Sequence, residues 1–282
     1  MKPWGKNLQL SIFNYEDIMR NESSLLNWLL TMEATGATLI KNCPNDLEAG
    51  PKLSEKIGFV KMTHYGRRSP VVVRPDSNNI AFTSVKLGLH NDIPQYIHQP
   101  GIILLHTLEQ HRGVGGESTI SDGFLATEIL RKENPEAFDI LTNTCVYFWD
   151  KGRANNPLEN EEFYKINKAP IIGLNRENKF EIMRVNNQVR DSHLDLPADQ
   201  VNSFYEAMKA LGDILEANCY GFKMEDGDLL VLDNFRCQHG REKFENDSSR
   251  HLETSYMDWD EALCCRRRLV EKLGIQYPPK DL

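Results

Sequence analysis

Apolar positions along this chain change their period several times, and each change predicts an element. Between residues 21 and 33, Leu25, Leu26, Trp28, Leu29 and Leu30 fall at helical spacing, behind Asn21 and Ser23 as candidate caps and ahead of Gly36 as a stop. An amphipathic helix is expected there, then a short strand over residues 37–40 and a polar loop over 42–51. Residues 71–85 are rich in turn formers, whereas 101–107 form a compact apolar run suited to a strand buried on both faces. Residues 122–143 hold two helical stretches divided at Pro135, and 144–149, 180–185 and 229–232 read as strands. The clearest helix spans 197–217, where Val201, Phe204, Tyr205, Met208, Leu211, Ile214 and Leu215 share one face. Short strands between irregular stretches, with few helices and no βαβ alternation, predict an antiparallel barrel or sandwich decorated by helices.

The chain's 282 residues, 40% of them hydrophobic, suffice for one sizeable core, so a single domain over 1–282 is expected. A net charge of −8 provides no basic excess to displace counterions from nucleic acid or to adsorb on an anionic membrane. Small molecules are therefore the expected partners. No stretch approaches the roughly 20 apolar residues of a membrane span. The opening MKPWGKNLQL has neither an apolar signal core nor an arginine-rich amphipathic stretch, so a cytoplasmic protein is expected. Cys43, Cys145, Cys219, Cys237, Cys264 and Cys265 include no CxxC pair and are expected to remain free thiols.

Candidate chemistry begins at His90-Asn91-Asp92. In an extended segment, alternation sends positions 90 and 92 to one face, where both side chains can reach one ion. Alone, such a pair is unspecific. A third donor, His239, follows the apolar strand 229–232 by way of Phe235, Arg236, Cys237 and Gln238. Two histidines and one carboxylate make the facial set that leaves three positions open on iron(II), two for a chelating keto acid and one for dioxygen. A closed four-ligand structural site has no such opening. Beyond His239 lies Arg250, whose planar guanidinium matches a carboxylate and is a natural anchor for the distal end of 2-oxoglutarate.

Further segments extend the pattern: THYG (63–66), NNIAFTSVKLGLHND (78–92), PGIILLH (100–106), GGESTISDGF (115–124), RVNNQVRD (184–191), LDNFRCQHGR (232–241) and SRHLETSYMDWD (249–260). In this order they make the chain, from about Trp4 to its end, similar to the clavaminate synthase and taurine dioxygenase superfamily. Within it the resemblance is closest to the gamma-butyrobetaine and trimethyllysine dioxygenases. It implies a mainly β fold, a double-stranded β-helix (jelly-roll) core with peripheral helices packed on one side. It implies Fe(II) held by His90, Asp92 and His239, with 2-oxoglutarate and O2 as co-substrates. Arg250, Asn79, Leu105 and Ser118 would hold 2-oxoglutarate, and Asn186 would contact a substrate carboxylate. Tyr65 and Tyr256 match members of an aromatic cage, which binds a trimethylammonium group through ring quadrupoles because that cation has no N–H to donate. A homodimer is a further expectation.

Two cage positions depart from the betaine enzymes: Ser69 stands in place of a tryptophan and Phe82 in place of a tyrosine. Phe82 still offers a ring, whereas Ser69 opens space. No Cys/His cluster precedes Trp4, so the amino-terminal zinc-binding domain of the longer relatives is not expected here. The expected activity is hydroxylation of a small zwitterion such as gamma-butyrobetaine. The alternatives are the same chemistry on another amino acid, aminophosphonate or secondary metabolite, a non-catalytic ligand-binding barrel, or a metal-dependent hydrolase. Succinate release that depends on iron, 2-oxoglutarate and oxygen separates the oxygenase from the last two. His64, His98, His111, His193 and His251 are expected to be structural or solvated, as is His106, with its ring turned into the barrel near the site. Asp258 and Asp260 flank Trp259 at the opening of a C-terminal helix, where acids favour the positive end of the dipole.

Overall fold

The computed structural model describes residues 1–73, 80–153, 162–245 and 249–275. Two sheets face each other across a shared apolar interior. The larger has six strands in the order β1 (Ser11–Asn14), β2 (Ala37–Lys41), β12 (Leu229–Asp233), β5 (Ile102–Glu109), β14 (His251–Met257) and β3 (Ser69–Val72). Of its neighbouring pairs, β1 with β2 is parallel and the others are antiparallel. The smaller sheet is antiparallel throughout, in the order β11 (Tyr220–Phe222), β6 (Ser118–Asp122), β13 (Cys237–Arg241) and β4 (Leu87–His90). Two further antiparallel pairs stand beside them: β7 (Cys145–Arg153) with β8 (Glu162–Pro170), and β9 (Ile172–Leu174) with β10 (Phe180–Met183).

The continuous apolar runs follow from burial on both faces. In β12, Leu229 and Val231 meet the helices outside the sheet while Leu230 and Leu232 enter the interior. β5 divides the same way, with Ile102 and Leu104 outward and Ile103 and Leu105 inward. Ile120 and Cys237 close that interior from the smaller sheet. The result is the expected jelly roll.

Helices α1 (Tyr15–Arg20), α2 (Glu22–Thr35), α3 (Ala49–Ile57) and α7 (Trp259–Lys272) cover the outer face of the larger sheet. A second group, α4 (Gly123–Glu133), α5 (Pro135–Asn143) and α6 (Val201–Ala217), packs with β7, β9 and β10 around Phe148, Ile172, Met183, Phe204 and Leu211. Helices thus flank both sides of the barrel instead of one, because the smaller sheet's surroundings also carry apolar surface that must be covered.

Local signals act as the sequence indicates. The Asn21 side chain accepts from the Ser24 amide at 3.0 Å to start α2, and Gly36 ends it at φ 71°. Asn134 caps α5 with Pro135 in its first turn, where a missing N–H costs nothing. The polar loop 42–51 is shorter than expected: α3 begins at Ala49, and Pro51 is tolerated in the first turn. The turn-rich region 71–85 contributes the end of edge strand β3 and a 3-10 turn at Ile80–Phe82, while Asn79 lies outside the described residues. All six cysteines are free. No described helix is long and apolar enough to cross a membrane.

Candidate active site

β4 and β13 run antiparallel with His90 opposite His239, so their imidazoles stand together with 4.3 Å between ring centroids. Beyond the end of β4, the intervening Asn91 turns into the core, where it is fully buried. Its side chain donates to the carbonyls of Asn234 and Cys237 and accepts from the Val185 amide and the Gln238 side chain. Asn234 clamps the next residue, accepting from the Asp92 amide at 2.8 Å and donating to its carbonyl at 2.9 Å. Ile93 follows at φ 57°, a left-handed conformation that strains a β-branched residue and persists only where the surroundings fix it.

The donor atoms of His90, Asp92 and His239 all lie within 4.8 Å of one another. Nδ1 of His90 donates to the Gly88 carbonyl at 2.9 Å, which turns Nε2 toward Asp92 Oδ1, 3.3 Å away. The Tyr256 hydroxyl donates to Asp92 Oδ2 at 2.7 Å, leaving Oδ1 directed at the histidines, 3.7 Å from His239 Nε2. Nδ1 of His239 is buried with no hydrogen-bond partner. Burial opposes the charge on Asp92, but the hydrogen bond from His90 and the adjacent imidazoles hold its carboxyl well below the usual range. Burial, reinforced by His90, brings His239 down to about 4. At His90 burial is outweighed by Asp92, which raises its pKa. An ionised carboxylate beside a neutral imidazole is the state a divalent ion requires, and ion binding releases the proton that Asp92 favours on His90. This donor set fits iron(II).

His90 and Asp92 form part of the wall of a cavity of ≈ 400 Å³ that is also lined by Tyr65, Ser69, Phe82, Asn186 and Tyr256. All the substrate-contact positions named from the sequence therefore converge on one space. Tyr256 does more than line it, since its hydroxyl is already committed to Asp92. The Asn186 amide is fixed by donating to the Asn91 carbonyl at 3.0 Å and accepting from the Gln188 amide at 3.1 Å.

Of the expected co-substrate residues, the described ones, Arg250, Leu105 and Ser118, lie outside that lining. Arg250 is 7% exposed, with Nε 3.2 Å from Gln110 Oε1 and its guanidinium 5.7 Å from the Phe244 ring centroid. Arg241 stacks on the same ring at 4.8 Å and donates to the Thr83 and Val85 carbonyls. Burial, with the Arg241 charge beside it, brings Arg250 down to about 9, and burial brings Arg241 down to about 10. No described carboxylate offsets either charge. Two buried guanidiniums so placed favour an incoming anion. Ser118 is opposite Arg241 in the β6–β13 register, and Leu105 is opposite Thr254, which lines the cavity.

His106 departs from expectation. It shares the outward side of β5 with Ile102 and Leu104, and it is buried with neither ring nitrogen bonded. Alternation explains this, because the odd positions of that strand face the interior. Asp150, also in the cavity wall, was not singled out by sequence: it follows the apolar TCVYFW with no local mark of function. Arg241 was overlooked although it sits within the quoted LDNFRCQHGR.

Two histidines and one aspartate converging inside a jelly roll is the arrangement used by mononuclear non-haem iron enzymes. Residues 1–256 match the family described as "Taurine catabolism dioxygenase TauD, TfdA family". The chain is 35% identical over 274 residues to gamma-butyrobetaine dioxygenase from Homo sapiens, covering 96% of this chain and 69% of that one. It is 30% identical to the gamma-butyrobetaine dioxygenase of Pseudomonas sp. (strain AK-1), covering 92% of this chain and 66% of that one. A solved structure of a taurine dioxygenase from Burkholderia xenovorans shares the fold at a TM-score of 0.65, with 14% identity and coverage of 91% and 89%. The chain belongs to the TauD/TfdA dioxygenase family. It is an Fe(II)- and 2-oxoglutarate-dependent dioxygenase that consumes O2.

Proposed function

We propose that His90, Asp92 and His239 bind the iron, that Arg250 anchors 2-oxoglutarate, and that the cavity receives a small zwitterion with a substituted ammonium group, hydroxylated as gamma-butyrobetaine is. The observation that carries this reading is the convergence of the three donors within 4.8 Å in the wall of a cavity that also presents Tyr65, Phe82 and Tyr256. Iron(II), when bound, supplies the redox chemistry that couples decarboxylation of 2-oxoglutarate to succinate and carbon dioxide with insertion of one oxygen atom into a C–H bond.

The chain's own groups do the rest. Arg250 pairs with the distal carboxylate of 2-oxoglutarate, and Ser118 and Leu105 flank it on the neighbouring strands. Tyr256 keeps Asp92 Oδ2 occupied so that Oδ1 stays aimed at the metal position. The aromatic rings receive the cationic head, Asn186 offers its remaining amide proton to the acid end, and the enclosing walls keep the target C–H close and water out.

Purified protein supplied in air with iron(II), 2-oxoglutarate and a panel of ω-ammonium acids graded in N-methylation up to gamma-butyrobetaine should release succinate with at least one of them and add one oxygen atom to it by mass spectrometry. His239→Ala should abolish both. Absence of oxygen-dependent succinate release across a panel of ω-ammonium acids would sink the substrate assignment. The same oxygenase chemistry on a different amino acid is the second reading, favoured by Ser69, which is buried in the cavity wall and offers no ring.

A further inference from the structure

One carboxylate in the cavity wall has no described cation to match it and accepts its hydrogen bond from the Lys151 backbone. Asp150, on β7, lines the same space as Tyr65 and Tyr256, and no described lysine or arginine lies within ion-pair distance of it. Its nearest basic neighbour is His64, whose Nε2 is 3.9 Å from Asp150 Oδ2. That imidazole is not a counter-ion. Its ring is packed between Phe163 and Tyr65 at centroid distances of 4.1 and 4.0 Å, and its Nδ1 is held 2.9 Å from the Tyr96 hydroxyl. Burial brings its pKa down to about 4, so it is neutral near pH 7. Burial also raises the Asp150 pKa, as expected for an acid without a cation beside it.

Ser69 lines the cavity as well, where it supplies a small side chain and no ring. A quaternary ammonium gains most from aromatic faces and cannot hydrogen-bond, whereas an ammonium with an N–H gains a charge-assisted hydrogen bond to a carboxylate. The wall here offers no ring at Ser69 and presents a carboxylate at Asp150. We propose that Asp150 is the counter-ion and hydrogen-bond acceptor for the substrate's ammonium group, so that the site selects ω-amino acids whose nitrogen keeps at least one N–H. This rests on the reading of the cavity as a receptor for a small ammonium-bearing acid.

The test measures cation binding apart from turnover. Dimethylammonium and tetramethylammonium chlorides are titrated by ligand-observed NMR against the iron- and 2-oxoglutarate-loaded enzyme under argon. The wild-type protein should bind dimethylammonium at least roughly tenfold more tightly, the range of one charge-assisted hydrogen bond. Asp150→Asn, close in shape, should erase that preference, and Ser69→Trp should shift it toward tetramethylammonium. Equal or tighter binding of tetramethylammonium by the wild type, or a preference that survives Asp150→Asn, overturns the proposal. If the preference behaves as expected yet no ω-ammonium acid drives succinate release in air, the cation site stands and the assigned reaction falls.

Discussion

At the scale of single residues, Tyr256 joins two tasks that mutation can separate. Its ring faces the cavity and its hydroxyl holds Asp92 Oδ2 at 2.7 Å. Buried against Asp92, that hydroxyl has its pKa raised well above the ordinary value, so it remains a donor. Tyr256→Phe keeps the ring and removes the donor. Iron affinity should fall roughly 10- to 100-fold, read from the iron dependence of succinate release, while the substrate KM changes much less. The opposite pattern would make Tyr256 a cage residue alone. Arg250→Lys keeps a charge but loses the planar fork, so the KM for 2-oxoglutarate should rise about tenfold with little change in substrate KM. An unchanged 2-oxoglutarate KM would move the anchor to Arg241, which stacks on the same Phe244 ring.

At the scale of elements, the site depends on how closely β4 approaches β13. A Cβ at Gly240 would lie 2.6 Å from the Leu87 carbonyl oxygen and 2.9 Å from Thr119 Oγ1, contacts that no relaxed side chain tolerates. Gly240→Ala should therefore push β4 outward and part His90 from His239, abolishing iron binding in a competitive chelator titration while far-ultraviolet dichroism stays near that of the parent. Retained iron affinity would show that the two strands are free to yield. This closeness was only partly legible in the sequence. The direction of His90 and Asp92 followed from alternation, and the apolar strand before His239 marked where a third donor would emerge. The registers that place His239 opposite His90, and Tyr256 near Asp92, are cross-strand facts with no local signature. α3 escaped notice because Gly50 and Pro51 disguise its first turn as loop, and the outward turn of His106 was hidden because β5 is apolar on both faces.

At the scale of the whole molecule, two buried histidines tie global stability to pH. Burial brings His64 and His106 down to about 4, against an ordinary value of 6.5. Between those limits the unfolded chain binds protons that the folded one refuses, so unfolding free energy rises with pH. Stability is fully present above about pH 6.5 and is lost as pH falls toward 4. Each histidine contributes on the order of 3 kcal/mol across the whole window, of which about 2 kcal/mol is lost by about pH 5. His106 offers the cleaner test, because it is 1% exposed, lies away from the cavity and has both ring nitrogens unbonded. His106→Leu removes those unsatisfied atoms and the titration together. Urea midpoints measured at about pH 7.5 and about pH 5 should show a variant at least as stable as the parent at the higher value, and more stable by about 2 kcal/mol at the lower one. Other titrating groups, the His90, Asp92 and His239 cluster included, act on both proteins alike and cancel in the difference where they do not touch position 106. A variant whose advantage fails to grow as the pH drops would mean that His106 is charged in the folded protein, and the outer layer beside α3 would then have to hold a partner for it.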